Sequence, residues 1–263
     1  MSIITISKDD PAGLRLTLDS VRGLNRVQHI LVVQDETGAS QALVPPGSLL
    51  VQDEGQGIAQ AFNQGLHHAT GEAVIFLNGG DRLVDLTWVE RSLVLLAQRP
   101  AVDILTADAV FESPLIGPYR YKTAPLSGDH PLRIGSGMPC SHQAMVVRRA
   151  CFDRVGPFNE AYTVAMDYEW LCRWARQTPQ AGRILSVAGP PVVRVDGTGL
   201  SIQQEPRCLQ ECFWALQRHR LLLGQPLVDY GSRLTRFLGR YILTRLGLNP
   251  VVAWVKSALH SPV

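Results

Sequence analysis

Residues 73–85 read Ala73-Val74-Ile75-Phe76-Leu77-Asn78-Gly79-Gly80-Asp81-Arg82-Leu83-Val84-Asp85. The apolar run Ala73 to Leu77 predicts a short strand buried on both faces. Asn78 ends it, and Gly79-Gly80 turns the chain into Asp81. In open α/β sheets, ligands bind at the carboxyl ends of the strands. Asp81 therefore has two readings. It is a carboxylate for a divalent metal carrying a diphosphate, or it caps a helix that begins near Asp85. The stretch alone leaves both open.

Working outward, the same rhythm repeats on either side. Strands are predicted at 3–7, 29–33, 49–52 and 102–105. Helices are predicted at 14–24, 58–68 and 85–98. The first helix places Leu14, Leu16, Leu18, Val21 and Leu24 at amphipathic spacing. This β-α-β order implies a mostly parallel sheet with helices on both faces. No glycine-rich turn follows the first strand, where Lys8-Asp9-Asp10-Pro11 stands instead, which argues against a dinucleotide-type site. From Phe111 to Ser141 the rhythm fails in a long Pro- and Gly-rich loop. It resumes with a strand at 143–147, helices at 148–155 and 167–177, and strands at 184–187 and 192–195.

Several polar residues fall at telling places. Asp35 ends the second strand and Asp53 the third, so with Asp81 three βα units each put an acid on one rim. One such residue is usually a helix cap, whereas three suit a polar ligand or a metal. Asp167 opens a predicted helix and reads as an N-cap or as a general base at a helix start. His142 lies between the loop and a strand, as a structural histidine, a metal ligand or a substrate contact.

At 263 residues with 46% hydrophobic and 18% charged, the chain fits one large globular domain, or a domain with an appendage. A net charge of +2 gives no global signal for nucleic acid. Residues 205–263 hold eight Lys/Arg against three Asp/Glu, net +5, which predicts a basic tail on a slightly acidic body. Five cysteines without a CxxC pair predict reduced thiols in the cytoplasm. The N-terminus is charged too early for a signal peptide, and no apolar run reaches membrane-spanning length.

Three runs together resemble the family 2 glycosyltransferases, in the branch that builds bacterial exopolysaccharide and colanic-acid-like chains. They are Gly57-Ile58-Ala59-Gln60-Ala61-Phe62-Asn63-Gln64-Gly65, Ala69-Thr70-Gly71-Glu72 and Phe76-Leu77-Asn78-Gly79-Gly80-Asp81. Further matches are Ile3-Ile4-Thr5-Ile6, His142-Gln143-Ala144, Gly156-Pro157-Phe158-Asn159-Glu160, Ala165-Met166-Asp167-Tyr168 and Gly197 to Ser201. The resemblance implies a GT-A fold, an α/β architecture with a Rossmann-like, mostly parallel sheet flanked by helices. It implies an inverting sugar transfer from a nucleotide-diphosphate sugar to a saccharide or lipid-linked acceptor. Asp81 would then bind Mn²⁺ or Mg²⁺ on the donor diphosphate. Thr5, Asp35, Asp53, Asn63 and Gly80 fall on the donor side, Asp167 on the catalytic base, and His142 on the acceptor or metal side.

The chain also departs from that family. The usual S-T-D-G-T run is Asp35-Glu36-Thr37-Gly38-Ala39-Ser40, and two customary aspartates are Gly55 and Gln60. These departures keep a second reading open, a catalytically impaired nucleotide-sugar-binding partner subunit. The resemblance supports a domain over 1–204, followed by a helical, basic extension over 205–263. Within it, 227–246 reads as a basic amphipathic helix for peripheral contact with the cytoplasmic membrane, with a helix packed on the body or a homodimer contact as its alternatives.

Overall fold

A computed structural model describes residues 1–124, 132–178, 183–259 and 261–262. The chain alternates as predicted at first: β1 Ser2–Lys8, α1 Pro11–Val21, β2 Gln28–Gln34, β3 Leu49–Gln52, α2 Ile58–His67 and β4 Ala73–Asn78. β5 Arg82–Leu83, α3 Thr87–Gln98 and β6 Ile104–Thr106 follow. Strands β3, β2, β1 and β4 lie side by side and parallel. Their residues divide between two faces. Ile4, Ile6, Val74 and Phe76 enter one buried cluster, with Phe62 of α2. Ile3, Ala73, Ile75 and Leu77 enter the other, with Trp88 of α3. That division is why the 73–77 run is apolar throughout instead of alternating.

The predicted loop after Phe111 is in part a hairpin. β7 Ala109–Ser113 and β8 Gly117–Tyr121 pair antiparallel, with Pro118 opposite Glu112. Pro118 conceals the second strand in sequence, because proline is tolerated only where a ladder N–H is dispensable. Residues 125–131 of that predicted loop lie outside the described residues. Beyond it come β9 Met145–Arg148, α4 Arg149–Val155, α5 Met166–Gln177, β10 Ile184–Ser186 and β11 Val193–Asp196.

Two sheets result. The larger has seven strands in the order β10-β6-β9-β4-β1-β2-β3, with β9 antiparallel to both its neighbours. The smaller joins β8, β7, β11 and β5 and is edged by β12 Ser261–Pro262. β11 runs parallel to β7, which brings its carboxyl end toward the carboxyl end of β4.

The C-terminal helices are α6 Leu200–Gln203, α7 Glu205–Arg218, α8 Gln225–Arg245 and α9 Asn249–Leu259. Cys212, Ala215 and Leu216 of α7 and Tyr230 of α8 belong to the same buried cluster as α2 and α5. α8 turns Asp229, Tyr230 and Arg233 toward the body through contacts with Arg133, the Leu209 carbonyl and Cys208. Its other side leaves Leu227, Val228, Leu238, Tyr241 and Ile242 about half exposed.

Candidate active site at the carboxyl edge of the sheet

Two hollows open along the carboxyl ends of β1 to β4. The smaller, about 260 Å³, is lined by Ser7, Lys8, Gln34, Asp53 and Gly55. The larger, about 520 Å³, contains Asp81, His142, Asp167, Asp196 and Arg233. They share Ile58, Asn78 and Gly79, so the end of β4 is the ridge between them. A third hollow of about 560 Å³, between α1 and the β2–β3 connection, holds none of the predicted site residues.

Asp81 does not cap α3. Asp85, just ahead of that helix, accepts from the Thr87 backbone N–H at 3.0 Å and from the Thr87 hydroxyl at 2.6 Å. Gly80 turns the chain with φ +97°, a conformation that side chains resist. Asp81 is thereby folded back under its own strand, 2% exposed. Its Oδ2 accepts from the Asn78 backbone N–H at 2.9 Å and from the Asn78 amide at 3.1 Å. Its Oδ1 accepts a long 3.3 Å bond from the Asp196 N–H, and the Gln143 side chain is a further donor to the carboxylate. Burial pushes its carboxyl up to about 6, against the opposing help of these amide donors.

Asp196 reaches the same spot from the second sheet. Its Oδ1 is held by the Thr198 N–H and hydroxyl, both at 2.9 Å, and its Oδ2 lies 3.6 Å from where a side chain at 80 would begin. Among the described residues no cluster of three or more metal-binding side chains occurs. Two carboxylates are nevertheless a sufficient protein share for Mg²⁺ or Mn²⁺, which keep waters and take substrate phosphate oxygens for the rest. A buried carboxyl short of positive charge beside a second carboxylate fits such an ion.

Asp167 stands in the first turn of α5 and is not its cap. Its Oδ1 accepts from the Tyr168 N–H at 2.8 Å. The loop that leads into α5 is held instead by Glu211 of α7. The fully buried Glu211 carboxylate accepts from the N–H groups of Thr163, Val164 and Ala165 at 2.9–3.0 Å. Burial would raise the Glu211 carboxyl, but those N–H groups and Arg207 outweigh it and hold it below the usual range. Asp167 is left facing the cavity. Burial pushes the Cys140 thiol up to about 12, and the Asp167 charge adds to it.

His142 stacks on Phe76, with ring centres 5.3 Å apart, and meets Phe62 and Phe158 edge-on. Burial lowers its pKa, only partly opposed by the Asp167 charge, so it is a neutral imidazole beside that carboxylate.

The structure places the other predicted residues as follows. Asp53 lines the smaller hollow and accepts from the Gly55 N–H at 2.8 Å. Asp35 lines neither hollow. Its oxygens are taken by the Thr37 N–H and hydroxyl and the Ser40 N–H at 2.6–2.8 Å, bonds that hold its carboxyl far below the usual range. Thr5 is fully buried within β1 and bonds to His29. Asn63 ties α2 to the segment after α4, through Phe158 and Glu160. Gln60, in place of a customary aspartate, donates to Glu54 at 3.0 Å.

Sequence reasoning missed Lys8, Asp196, Glu211 and Arg233. The signal for Asp196 was its place at a strand's carboxyl end. Lys8, the last residue of β1, carried the same signal; Glu211 and Arg233 carried none, because what they meet lies far away in the chain.

The profile of glycosyl transferase family 2 matches residues 2–155, more than half of the chain. The chain belongs to glycosyl transferase family 2. An uncharacterised glycosyltransferase of Mycobacterium tuberculosis is 27% identical over 261 residues, covering 89% of this chain and 94% of the relative. A PGL/p-HBAD biosynthesis glycosyltransferase of the same species is 27% identical over 126 residues, 48% of this chain and 46% of that protein. Among solved structures, Staphylococcus aureus TarS 1-349 in complex with UDP-GlcNAc aligns with a TM-score of 0.65 at 14% identity, over 90% of this chain and 72% of that one. The mannosyltransferase PcManGT from Pyrobaculum calidifontis, in complex with GDP-Man and Mn²⁺, aligns with a TM-score of 0.59 at 14% identity, over 98% and 79%. These likenesses establish the GT-A architecture. This chain is a glycosyltransferase by family, and the predicted α/β sheet flanked by helices is the observed one.

Proposed function

We propose that this family 2 glycosyltransferase transfers a sugar, with inversion, from a nucleotide-diphosphate sugar to a hydroxyl of a saccharide or lipid-linked acceptor, in bacterial surface polysaccharide synthesis. The observation that carries the reading is that Asp81 and Asp196 meet in the larger hollow, next to the Asn78–Gly79 ridge it shares with the smaller one, and that Asp167 lines the same hollow. The smaller hollow, with Asp53 and Lys8 on its rim, suits the nucleoside and its phosphates. Asp35, Thr5 and Asn63 then act on the donor side indirectly, by fixing the loop, strand and helix that shape it. Mn²⁺ or Mg²⁺ would be held by Asp81 and Asp196, and when bound it neutralises charge on the leaving diphosphate.

Asp167 is the general base in this account. It stands in the first turn of α5, where the helix dipole favours a negative group. Its free oxygen takes the proton of the acceptor hydroxyl as that oxygen attacks the anomeric carbon. His142, neutral and fixed by three phenyl rings, offers a hydrogen bond to the acceptor. Bringing hydroxyl, base and donor into line supplies the proximity part of the rate enhancement.

The test is sugar transfer or donor hydrolysis by Asp167→Asn. The expected loss in turnover is about 10²- to 10⁴-fold, with donor affinity retained. Transfer at the parent rate would remove Asp167 from the role of base. A parent protein that binds donor but turns none over would favour the non-catalytic partner reading, for which Gln60 at a customary aspartate position speaks.

Among the described residues no helix is long and apolar enough to cross a membrane. Peripheral contact is part of the proposal. The outer face of α8 combines Leu227, Val228, Leu238 and Ile242 with Arg236 and Arg245, and Trp254 of α9 is 70% exposed. Such a face suits an anionic lipid surface. Co-sedimentation with phosphatidylglycerol vesicles, lost in Leu238→Glu/Ile242→Glu, is the expected result; equal sedimentation of parent and variant would contradict it.

A further inference from the structure

Arg233 differs from the other cations of the C-terminal helices. Arg207 of α7 pairs with Glu211, and Arg240 of α8 with Glu205. Asp229, one turn before Arg233, pairs with Arg133. Arg233 turns inward and lines the larger hollow. There its Nη2 meets the sulfur of Cys208 at 3.8 Å, and the Cys212 thiol is its other side-chain contact. Its Nη1 is buried without a hydrogen-bond partner. Among the described residues no carboxylate pairs with it.

A guanidinium withdrawn from water is costly unless it is paired. Sulfur is a weak acceptor and does not neutralise it. The surroundings nevertheless hold this charge in place. Gly137 adopts φ +106°, and a side chain there would begin 3.2 Å from Nη1. The Arg133–Asp229 pair and the Tyr230 hydroxyl, which donates to the Leu209 carbonyl at 3.1 Å, fix α8 on the body. The cation also acts on its neighbour. The Cys208 thiol is drawn below its ordinary value, first by its hydrogen bond with Cys212 and then by the Arg233 charge. Asp167 lies in the same hollow, so a positive and a negative side chain both face the space where substrates would meet.

We infer that Arg233 binds a phosphate oxyanion of a substrate in the larger hollow, so that α8 completes the binding site. The inference rests on the transferase reading for its substrates and on the unpaired guanidinium for its chemistry. Arginine presents a planar fork that matches phosphate oxygens two at a time. The oxyanion belongs either to the donor's diphosphate or to a phosphate of a lipid-linked acceptor.

Full-length parent, Arg233→Met and Arg233→Gln are compared by calorimetry with Mg²⁺ present. Thermal melts identify which variant is folded, and the folded one carries the test. The probes are inorganic pyrophosphate, uridine diphosphate, guanosine diphosphate and geranyl diphosphate. Removing the charge should weaken pyrophosphate binding about tenfold to a hundredfold, the usual effect of losing a charge-assisted hydrogen-bonded pair. A matching loss for a nucleoside diphosphate assigns the oxyanion to the donor. A loss confined to pyrophosphate and geranyl diphosphate assigns it to the acceptor. Unchanged affinity for all four probes, or a parent that binds none of them, overturns the inference. A parent that transfers no sugar but whose pyrophosphate binding still depends on Arg233 would refute the transferase reading and leave this one standing.

Discussion

Asp81 and Asp103 are buried to the same extent, 2% exposed each, on opposite edges of the seven-stranded sheet. Asp103 precedes β6 at the amino edge. It receives Arg154 and Arg183 at 2.7 Å and the Trp174 indole N–H at 3.0 Å. Burial would raise its carboxyl, but the indole and the two guanidiniums outweigh that and hold it low. Asp81 follows β4 at the carboxyl edge. It has amide donors only, and burial prevails, to about 6. One aspartate has its cations supplied by the fold; the other has none there, as the proposed metal site requires. That contrast separates a stabilising ion cluster from a ligand site more clearly than burial does.

The comparison can be broken by substitution. Asp103→Asn should cost about 3 kcal/mol. That is the low end for breaking a buried pair, because the Arg154 and Arg183 side chains remain 41% and 31% exposed. Urea unfolding would show it as a lower midpoint at constant slope. A loss below about 0.5 kcal/mol would reduce the cluster to an ordinary surface pair. Asp81→Asn should behave oppositely. In metal-free buffer its stability at neutral pH should stay within about 1 kcal/mol of the parent or rise, since the change removes a buried charge. A large destabilisation would make Asp81 a structural residue.

The pH dependence sharpens the same contrast with a smaller signal. Asp103 and Glu211 have depressed carboxyls, so their contribution is present above about pH 4 and is lost as the pH falls through their folded values. Asp81 is raised, so its protonated form favours the folded state. Metal-free stability should therefore decline as pH rises from about 4 toward 6. Chemical unfolding across that range, in EDTA, should show the upper decline disappearing in Asp81→Asn and the acid limb flattening in Asp103→Asn. Unchanged limbs would contradict the assignments.

Much of the fold was legible because βαβ units are written locally. The apolar run Ala73 to Leu77 and the spacing of the apolar residues in α1 and α2 mark the buried faces within each element, although the strands and helices they meet lie far away in the chain. The β7–β8 hairpin was not legible, because Pro118 sits in a strand that its residue type disfavours. Asp81, His142 and Asp167, read from strand ends and family motifs, all line the larger hollow. Asp35 and Asn63 carry the same motif signals, yet their side chains are engaged within the scaffold. Asp196, Glu211 and Arg233 were hidden for another reason. Asp196 meets Asp81 115 residues away, and Glu211 grips a loop 46–48 residues away. No local period encodes such meetings. Arg233 looked like one more arginine on a basic helix, and its place inside the larger hollow with a buried, unpaired Nη1 distinguishes it.

The central claim is that Asp81 is reserved for a cation that carries the donor diphosphate. The most direct measurement is calorimetric binding of uridine and guanosine diphosphates to the parent and to Asp81→Asn, with and without Mn²⁺. The account predicts that one nucleotide binds the parent at least tenfold more tightly with Mn²⁺, and that folded Asp81→Asn loses this gain. A variant that kept the full Mn²⁺ gain would contradict the account.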